Sequence, residues 1–221
     1  MATKQDTEQL YNYLSAKYGK ETADKLFSYI DLILEKNEHI NLTAIKDRAE
    51  AMQKHLADSL SVTALPEYAA ASTIIDVGTG AGFPGALLAI ANPEKNFTLL
   101  DSTRKKLEVV AELAEELDIF NLETLHDRAE KLSRRDGYRE AFDLCVCRAV
   151  ASLDKLCDWC LPFVRTRGSL IAYKGENYQE EIDQCDAVLK KFGGKIDRVV
   201  PVEDKTGDIS GHVLIVIKKV L

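Results

Sequence analysis

The sequence predicts an α/β fold, in which a seven-stranded, mainly parallel sheet with an antiparallel last strand follows a small N-terminal helical extension. From residue 72 onward, short apolar, β-branched runs alternate with apolar stripes of helical spacing. Such alternation predicts a layered structure with helices on both faces of the sheet. The last two strand-like runs have only a polar turn between them, so we expect them to pair antiparallel.

The first part of the chain shows helical spacing alone. Asp47 followed by Glu50 is typical of a helix start with a capping box, and Pro66 is expected to end the helical pattern. One helix face is indicated by the apolar residues Ala23, Leu26, Phe27, Ile30, Ile33 and Leu34. We therefore predict a helical extension over residues 1–65 and a second domain over residues 66–221.

The second part of the chain supplies the strands and the helices between them. Strands are predicted at residues 73–77, 97–100, 122–125, 142–147, 169–173, 196–202 and 212–218. Helices are predicted at residues 84–91, 104–117, 153–163 and 178–192, and Gly193-Gly194 should stop the last of them. Ligands of such sheets bind at the carboxyl ends of the strands. The turns after the strands are therefore where functional residues are expected.

The composition restricts the class of protein. The chain has 221 residues, of which 46% are hydrophobic and 29% charged, and its net charge is −7. These values are ordinary for a globular protein with a substantial core. No apolar run approaches the roughly 20 residues that span a bilayer, and no secretory signal is visible. We expect a cytoplasmic protein without a membrane segment.

The cysteines favour the same compartment. Of five cysteines, an odd number, Cys145 and Cys147 lie one residue apart on a predicted strand, and we expect their side chains to point to opposite faces. This is not the pattern of a disulfide framework, and it indicates reduced thiols. Cys157 and Cys160 form a C-x-x-C pair inside a helical pattern, without a second pair, and the histidines show no ligand spacing. No metal is therefore expected.

A glycine-rich turn over residues 76–85 follows the first predicted strand and opens a helix. Its string Gly80-Ala-Gly82-Phe-Pro-Gly85 satisfies the dinucleotide pattern G-x-G-x-x-G. Asp76, Gly78, Gly80 and Gly82 also form the longer pattern Asp-x-Gly-x-Gly-x-Gly, which resembles the first motif of S-adenosylmethionine enzymes. A carboxylate suits the cationic amino-acid end of that cofactor and would repel a diphosphate. S-adenosylmethionine is therefore favoured over a dinucleotide or a purely structural turn.

Asp101 ends the second predicted strand, about 20 residues past the glycines, where an acidic residue binds a ribose hydroxyl pair. It is also a candidate N-cap for the helix that follows, and the two roles are compatible. The spacing serves NAD and S-adenosylmethionine alike. Residues 127–130 follow the third strand, where the turn of this fold often passes beside an adenine.

These motifs together resemble the small-subunit rRNA guanine-N7 methyltransferase family, also called glucose-inhibited division protein B. The likeness covers most of the chain, and its combination of motifs is more specific than any one of them. The matching segments are Asn41-Leu42-Thr43, His55-Leu56-Ala57-Asp58-Ser59-Leu60, residues 76–85, Leu99-Leu100-Asp101-Ser102, Arg128-Ala129-Glu130, Arg148-Ala149-Val150-Ala151 and Lys174-Gly175.

The resemblance implies a Rossmann-like class I S-adenosylmethionine methyltransferase fold and S-adenosylmethionine as the cofactor. It implies Asp101 near the ribose and cofactor contacts from Gly78, Phe83, Ala129, Glu130 and Arg148, beside the turn residues Asp76, Gly80 and Gly82. It implies 16S rRNA of the small ribosomal subunit as the partner, methylated at a guanine N7. We expect the protein to act as a monomer.

The chemistry of that reaction needs few special groups. Guanine N7 carries a lone pair and no proton, so no general base is required, and alignment supplies much of the rate enhancement. Arg148 and Lys174 end two predicted strands and are the candidate catalytic residues, with Arg148 positioning the cofactor and Lys174 contacting phosphate. An ordinary surface charge is the alternative for each. Phe83 or Tyr173 could stack on the base, although both residue types are more often core.

Other functions stay open on the sequence alone. One alternative is a small-molecule methyltransferase, in which the N-terminal helices would form a lid over a closed pocket. Another is an NAD-dependent oxidoreductase, which would need a hydride-transfer acid or base that the sequence does not reveal. A third is a nucleotide-sensing adaptor without catalytic activity. The net charge argues against non-specific coating of nucleic acid. Local basic clusters, which solvated helix faces explain equally well, are formed by Arg104, Lys105, Lys106, Arg128, Lys131, Arg134, Arg135, Arg139, Arg165 and Arg167.

Overall fold

The sheet has seven strands in the order β3-β2-β1-β4-β5-β7-β6. The computed structural model describes residues 3–202 and 211–220, and the polar turn predicted between the last two strands lies almost entirely outside them. The strands are β1 Thr73–Val77, β2 Asn96–Asp101, β3 Leu122–His126, β4 Phe142–Arg148, β5 Val164–Lys174, β6 Gly194–Pro201 and β7 Val213–Lys219. Strands β1 to β5 pair in parallel, and β7 is antiparallel to both of its neighbours. The predicted fold class is confirmed.

Short helices connect the strands, and a group of helices precedes the sheet. They are α1 Lys4–Tyr18, α2 Lys20–Lys36, α3 Arg48–Ala51, α4 Asp58–Leu60, α5 Pro66–Ala70, α6 Gly85–Ala91, α7 Arg104–Glu116, α8 Ala129–Leu132, α9 Leu153–Cys160, α10 Tyr178–Asp183 and α11 Asp186–Phe192. Between α3 and α4 the chain forms a π-helix, Met52–Ala57, and 3-10 turns occupy Ser61–Ala64 and Leu161–Phe163. None of the helices in the described residues is both long and apolar enough to cross a membrane.

The N-terminal part is helical as predicted, with one correction. The Asp47 carboxylate accepts a hydrogen bond of 2.8 Å from the Glu50 amide, which confirms the predicted helix start. Pro66 does not end the helical region but begins α5, because a proline fits the first helical turn, where a missing N–H costs little. Leu65 before it is extended, as residues preceding proline tend to be.

The helix predicted over residues 178–192 is two helices. The chain breaks at Gln184 and Cys185, and Cys185 begins the second helix as a buried residue. Apolar spacing did not reveal this break, since both short helices keep the same stripe towards the core. Gly193 ends α11 in the left-handed conformation, with φ of 65°, and so confirms the predicted stop signal.

The core lies in two layers, one on each face of the sheet. Neighbouring strand residues point to opposite faces, so Ile74 and Val146 pack with the N-terminal helices while Ile75 and Cys145 pack on the other side. The helices of the extension therefore share one continuous apolar core with a face of the sheet. All five cysteines are buried free thiols in the second layer. Cys145 and Cys147 are two positions apart on β4 and so share one face of the sheet, which corrects the expectation that they point to opposite faces.

Candidate active site

A cavity of about 650 Å³ opens at the carboxyl ends of β1, β2 and β4, and we call it the first cavity. Lys106 and Arg128 of the predicted basic clusters line part of its wall. Most of the residues predicted to bind the cofactor also line it, namely Gly78, Gly80, Phe83, Asp101, Ala129, Glu130 and Arg148. The fold thus brings together residues from four separate stretches of the chain.

The glycine-rich turn forms the floor of the first cavity. The amides of Gly78 and Thr79 donate to the Leu100 carbonyl at 2.8 and 3.1 Å, which ties the turn to the end of β2. Gly78 has φ of 75°, and a Cβ there would lie 2.5 Å from a methyl group of Val150. Only glycine satisfies both conditions at this position. At Gly80, by contrast, the nearest atom would lie 4.0 Å from an added Cβ, so the backbone there is open to close approach by a ligand.

Asp101 joins the turn to the cavity wall. Its Oδ2 accepts a hydrogen bond of 2.9 Å from the Gly80 amide, and its Oδ1 accepts one of 2.7 Å from the Thr103 amide. Each carboxylate oxygen retains acceptor capacity. Asp101 is therefore suited to accept from ribose hydroxyls while it also organises the start of α7.

Asp76 lies beneath the turn and does not line the first cavity, so its contact with the cofactor stays a prediction. It is fully buried, and its Oδ2 accepts a hydrogen bond of 2.8 Å from the Gly85 amide. Gly82 does not line the cavity either, because the space beside it is filled by Tyr29. Burial raises the pKa of Asp76 to about 6, against the opposing effects of the Thr79 hydroxyl and the Gly85 amide.

The variant Asp76→Asn is expected to remove a pH dependence of stability. Because the pKa of Asp76 in the folded protein, about 6, lies above its ordinary value of 3.8, the folded state binds this proton more tightly than the unfolded chain. The unmodified protein therefore loses roughly 2 kcal/mol between about pH 4.5 and 7.5. Urea unfolding should show the variant gaining about that much relative to the unmodified protein over this range. If the unfolding free energies of the two proteins change equally with pH, burial of the Asp76 carboxylate is not the source of the pH dependence.

Arg148 ends β4, and its direction is set by the N-terminal segment. Its Nη1 donates at 2.8 Å both to the Lys54 carbonyl and to Asp58 Oδ2. Its Nη2 lies 3.3 Å from His55 Nδ1, and the guanidinium sits over the Phe83 ring at 5.6 Å from the centroid. The arginine predicted to position the cofactor is thus held from three sides.

His55 connects Arg148 to the glycine turn. Its ring stacks on Phe83, with centroids 4.5 Å apart and planes 20° apart, and its Nε2 lies 2.7 Å from Thr43 Oγ1. Burial and the neighbouring Arg148 charge lower the pKa of His55 to about 4, so the ring is neutral at physiological pH. Nδ1 then accepts from Arg148 and Nε2 donates to Thr43. The Phe83 ring is covered by His55, which corrects its suggested role of stacking on a base.

A second cavity, of about 420 Å³, adjoins the first. His55, Arg148 and Ala149 line both. Asp58 lies in its wall and binds His212 Nδ1 at 3.2 Å as well as Arg148. Burial raises the pKa of Asp58, but the hydrogen bonds from His212 and Arg148 outweigh it and lower the pKa overall. The hydrogen bond to Asp58 raises the pKa of His212.

Lys174 lies in the second cavity and not in the first. Its ammonium pairs with Glu181 Oε2 at 2.5 Å and donates to the Ala151 carbonyl at 2.7 Å. The expectation that Lys174 faces the cofactor cleft is corrected, because it lines the second cavity and not the first, whereas its contact with phosphate stays a prediction. Tyr173 is buried and donates from its hydroxyl to the Ser59 carbonyl, which ties β5 to the N-terminal segment.

The sequence was compared with protein families and curated relatives. A family model described as rRNA small subunit methyltransferase G (GidB) matches residues 22–209. The chain belongs to this family. A ribosomal RNA small subunit methyltransferase G from Clostridium perfringens (strain SM101 / Type A) is 38% identical over 204 residues, which are 92% of this chain and 85% of the relative. One from Alkaliphilus metalliredigens is 41% identical over 196 residues, 89% of this chain and 82% of the relative.

Solved structures agree with the fold of this member of the rRNA small subunit methyltransferase G family. A SAM-dependent methyltransferase from Aquifex aeolicus superposes with a TM-score of 0.52 at 17% identity, covering 67% of this chain and 82% of that one. The Methanococcus jannaschii fibrillarin pre-rRNA processing protein gives a TM-score of 0.53 at 15% identity, covering 68% and 67%. At these identities the likeness supports the shared architecture alone.

No role was predicted from the sequence for several residues that line the two cavities of this family member. Asp58 and Thr43 lie in motifs on which the family resemblance rests. Their place in those motifs was the indication from which a role could have been predicted. His212 and Glu181 gave no signal, because their partners are distant in sequence. Within residues 3–202 and 211–220, no group of three or more His, Cys, Asp or Glu side chains could hold a metal ion.

Proposed function

We propose that this protein transfers the methyl group of S-adenosylmethionine to N7 of a guanine in 16S rRNA of the small ribosomal subunit. The proposal rests on membership of the rRNA small subunit methyltransferase G family. The observation that carries it is the first cavity, where the glycine turn and Asp101 lie at the strand ends and Arg148 leads into the second cavity. One cavity suits the cofactor, and the adjoining one suits the acceptor base.

The first cavity fits S-adenosylmethionine in chemistry as well as in place. Its turn admits a ligand close to the backbone at Gly80, and Asp101 supplies carboxylate oxygens to a ribose hydroxyl pair. Ala129 and Glu130 form the wall where an adenine would lie, as the family resemblance implies. The bound cofactor supplies an activated methyl group on a sulfonium.

The protein's own part in the reaction is alignment. Guanine N7 has no proton to remove, so the site needs no base, and His55 is neutral with both ring nitrogens engaged. Arg148 is fixed by three hydrogen bonds and so lines the junction of the cavities in one orientation. Such preorganisation lowers the barrier by removing the freedom of the reacting groups.

We extend the proposal to a monomer that acts in the cytoplasm. In support of a monomer, the large apolar side chains exposed in the described part of the chain are Tyr13 in α1, Phe120 in the turn before β3 and Val220 just after β7. Single exposed apolar residues do not make an association surface. A molecular mass of one chain in size-exclusion light scattering is the expected result.

The decisive experiment is tritiated methyl transfer from S-adenosylmethionine to small ribosomal subunits of cells that lack the enzyme, followed by nucleoside analysis. We expect a single labelled product, 7-methylguanosine. Subunits from cells that retain the enzyme are the matched control and should accept no further label. Absence of incorporation, with cofactor binding intact, would favour a small-molecule methyltransferase instead.

A further inference from the structure

Lys174 and Glu181 form a polar pair in the wall of the second cavity. Lys174 is 10% and Glu181 29% exposed, so water is largely but not fully excluded from the pair. Both hydrogen bonds to the Glu181 carboxylate, from Lys174 Nζ and from the Leu153 amide at 2.6 Å, go to Oε2. Within residues 3–202 and 211–220, no donor occupies Oε1. Lys174 Nζ donates to Glu181 and to Ala151, which leaves one of its three hydrogens.

The pair therefore offers a donor directly beside an acceptor. Guanine has the complementary order on adjacent atoms, since O6 accepts and N1–H donates. Adenine has the opposite order, since its N6 amino group donates and N1 accepts. A site with a fixed donor–acceptor order rejects the reversed base strongly, because both buried groups would be left unpaired.

We propose that Lys174 binds O6 and Glu181 binds N1–H of the target guanine, and that this pair makes the second cavity selective for guanine. The inference rests on the proposed function and extends it to the residues that choose the base. Recognition of these edge atoms requires the base to be unstacked and turned into the cavity. O6 neighbours N7 on the purine, so a base held by Lys174 directs N7 towards Arg148 and the first cavity.

The charge of the pair also suits the reaction. Methylation at N7 makes the purine cationic, and this charge acidifies N1–H. A carboxylate at N1–H is attracted to the charge as it develops, so Glu181 binds the transition state more tightly than the neutral base. Lys174 carries the opposite charge and offsets part of this attraction, so the pair acts mainly by selecting the base.

The first test compares Glu181→Gln with Glu180→Gln in methyl transfer to unmethylated small subunits. Glu180 is the adjacent, exposed carboxylate of α10 and makes the matched control. We expect Glu181→Gln to lower kcat/KM by about 10- to 100-fold, with unchanged cofactor affinity and a lower melting temperature but a folded protein at the assay temperature, and Glu180→Gln to stay within about twofold. Lys174→Met, which removes the donor instead, should give a similar loss. Activity of Glu181→Gln within the control range overturns the proposal.

A charge exchange separates recognition from a merely structural ion pair. The double variant Lys174→Glu/Glu181→Lys keeps opposite charges in place but reverses the donor–acceptor order. If the pair served stability alone, the exchange would restore methyl transfer to a folded protein. We expect the double variant to fold but to show no methyl transfer. Restored methyl transfer would overturn the assignment of Lys174 and Glu181 to guanine recognition.

Nucleotide binding tests the pair without methyl transfer. The protein saturated with S-adenosylhomocysteine should bind guanosine 5′-monophosphate at least about tenfold more tightly than adenosine 5′-monophosphate in saturation-transfer NMR. Glu181→Gln should lose this preference. If the unmodified protein shows the preference but methylates no RNA, the proposed function fails while the pair stands. If it methylates RNA but binds both nucleotides equally, the pair fails while the function stands.

Discussion

Arg148→Ala is expected to abolish methyl transfer to RNA and to lower the free energy of unfolding by about 3 kcal/mol. The substitution leaves the Asp58 carboxylate, whose side chain is 2% exposed, without its arginine partner. Among the described residues, His212 is the partner that remains beside it. The substitution also removes the guanidinium from the junction of the two cavities. The measurements are tritium transfer to small subunits, cofactor binding by calorimetry, and urea unfolding.

The loss of activity can be separated from the loss of stability. In the double variant Arg148→Ala/Asp58→Asn no buried charge is left unpaired, so most of the stability should return while methyl transfer stays absent. Normal methyl transfer in Arg148→Ala would remove Arg148 from the active site. Failure of the second substitution to restore stability would mean that the ion pair is not the source of the loss.

Gly82→Ala should disrupt the glycine turn from below. A Cβ at Gly82 would lie 2.1 Å from the Tyr29 hydroxyl oxygen and 2.9 Å from Ala86 Cβ, and its φ of 87° is one that alanine rarely adopts. We expect a loss of about 2–4 kcal/mol in unfolding free energy and at least about a tenfold loss in cofactor affinity, because the displaced turn floors the first cavity. Urea unfolding and calorimetric titration with S-adenosylmethionine give the two quantities.

Tyr29→Phe provides the control for this clash. Alone it removes the hydrogen bond of 3.0 Å from the Tyr29 hydroxyl to the Ala81 carbonyl, at a cost of about 1 kcal/mol. Combined with Gly82→Ala it removes the contacting oxygen, so the double variant should be more stable than the sum of the single losses predicts. Additive losses would show that backbone strain at φ of 87°, and not the hydroxyl, dominates.

The sequence was sufficient for the sheet and for the cofactor end of the site. Strand positions followed from short β-branched runs such as residues 73–77, and the antiparallel pairing of β6 with β7 followed from the short connection between them. The glycine turn and Asp101 were found because both sit at fixed places relative to strands that local sequence identifies. These features depend on neighbours close along the chain.

The direction in which side chains at strand ends point was not accessible to the same reasoning. Spacing indicates that Asp76 and Lys174 end strands, but it does not tell whether a side chain enters a cavity or lies beneath it. Asp76 points under the turn, and Lys174 is paired with Glu181. The contact of Asp58 with His212 joins residues far apart in sequence, and no local pattern encodes such a pair.

The π-helix Met52–Ala57 acts as a spacer that brings the helical extension into phase with the active site. Each hydrogen bond of a π-helix spans one residue more than in an α-helix, and removal of one residue would turn everything beyond it by about 100°. Lys54, inside this stretch, and Asp58, directly after it, both bind Nη1 of Arg148. The number of residues in this turn therefore decides whether the Lys54 carbonyl and the Asp58 carboxylate both face the same nitrogen of Arg148. A deletion or insertion there is expected to change methyl transfer by moving Arg148, even if every residue of the two cavities is kept.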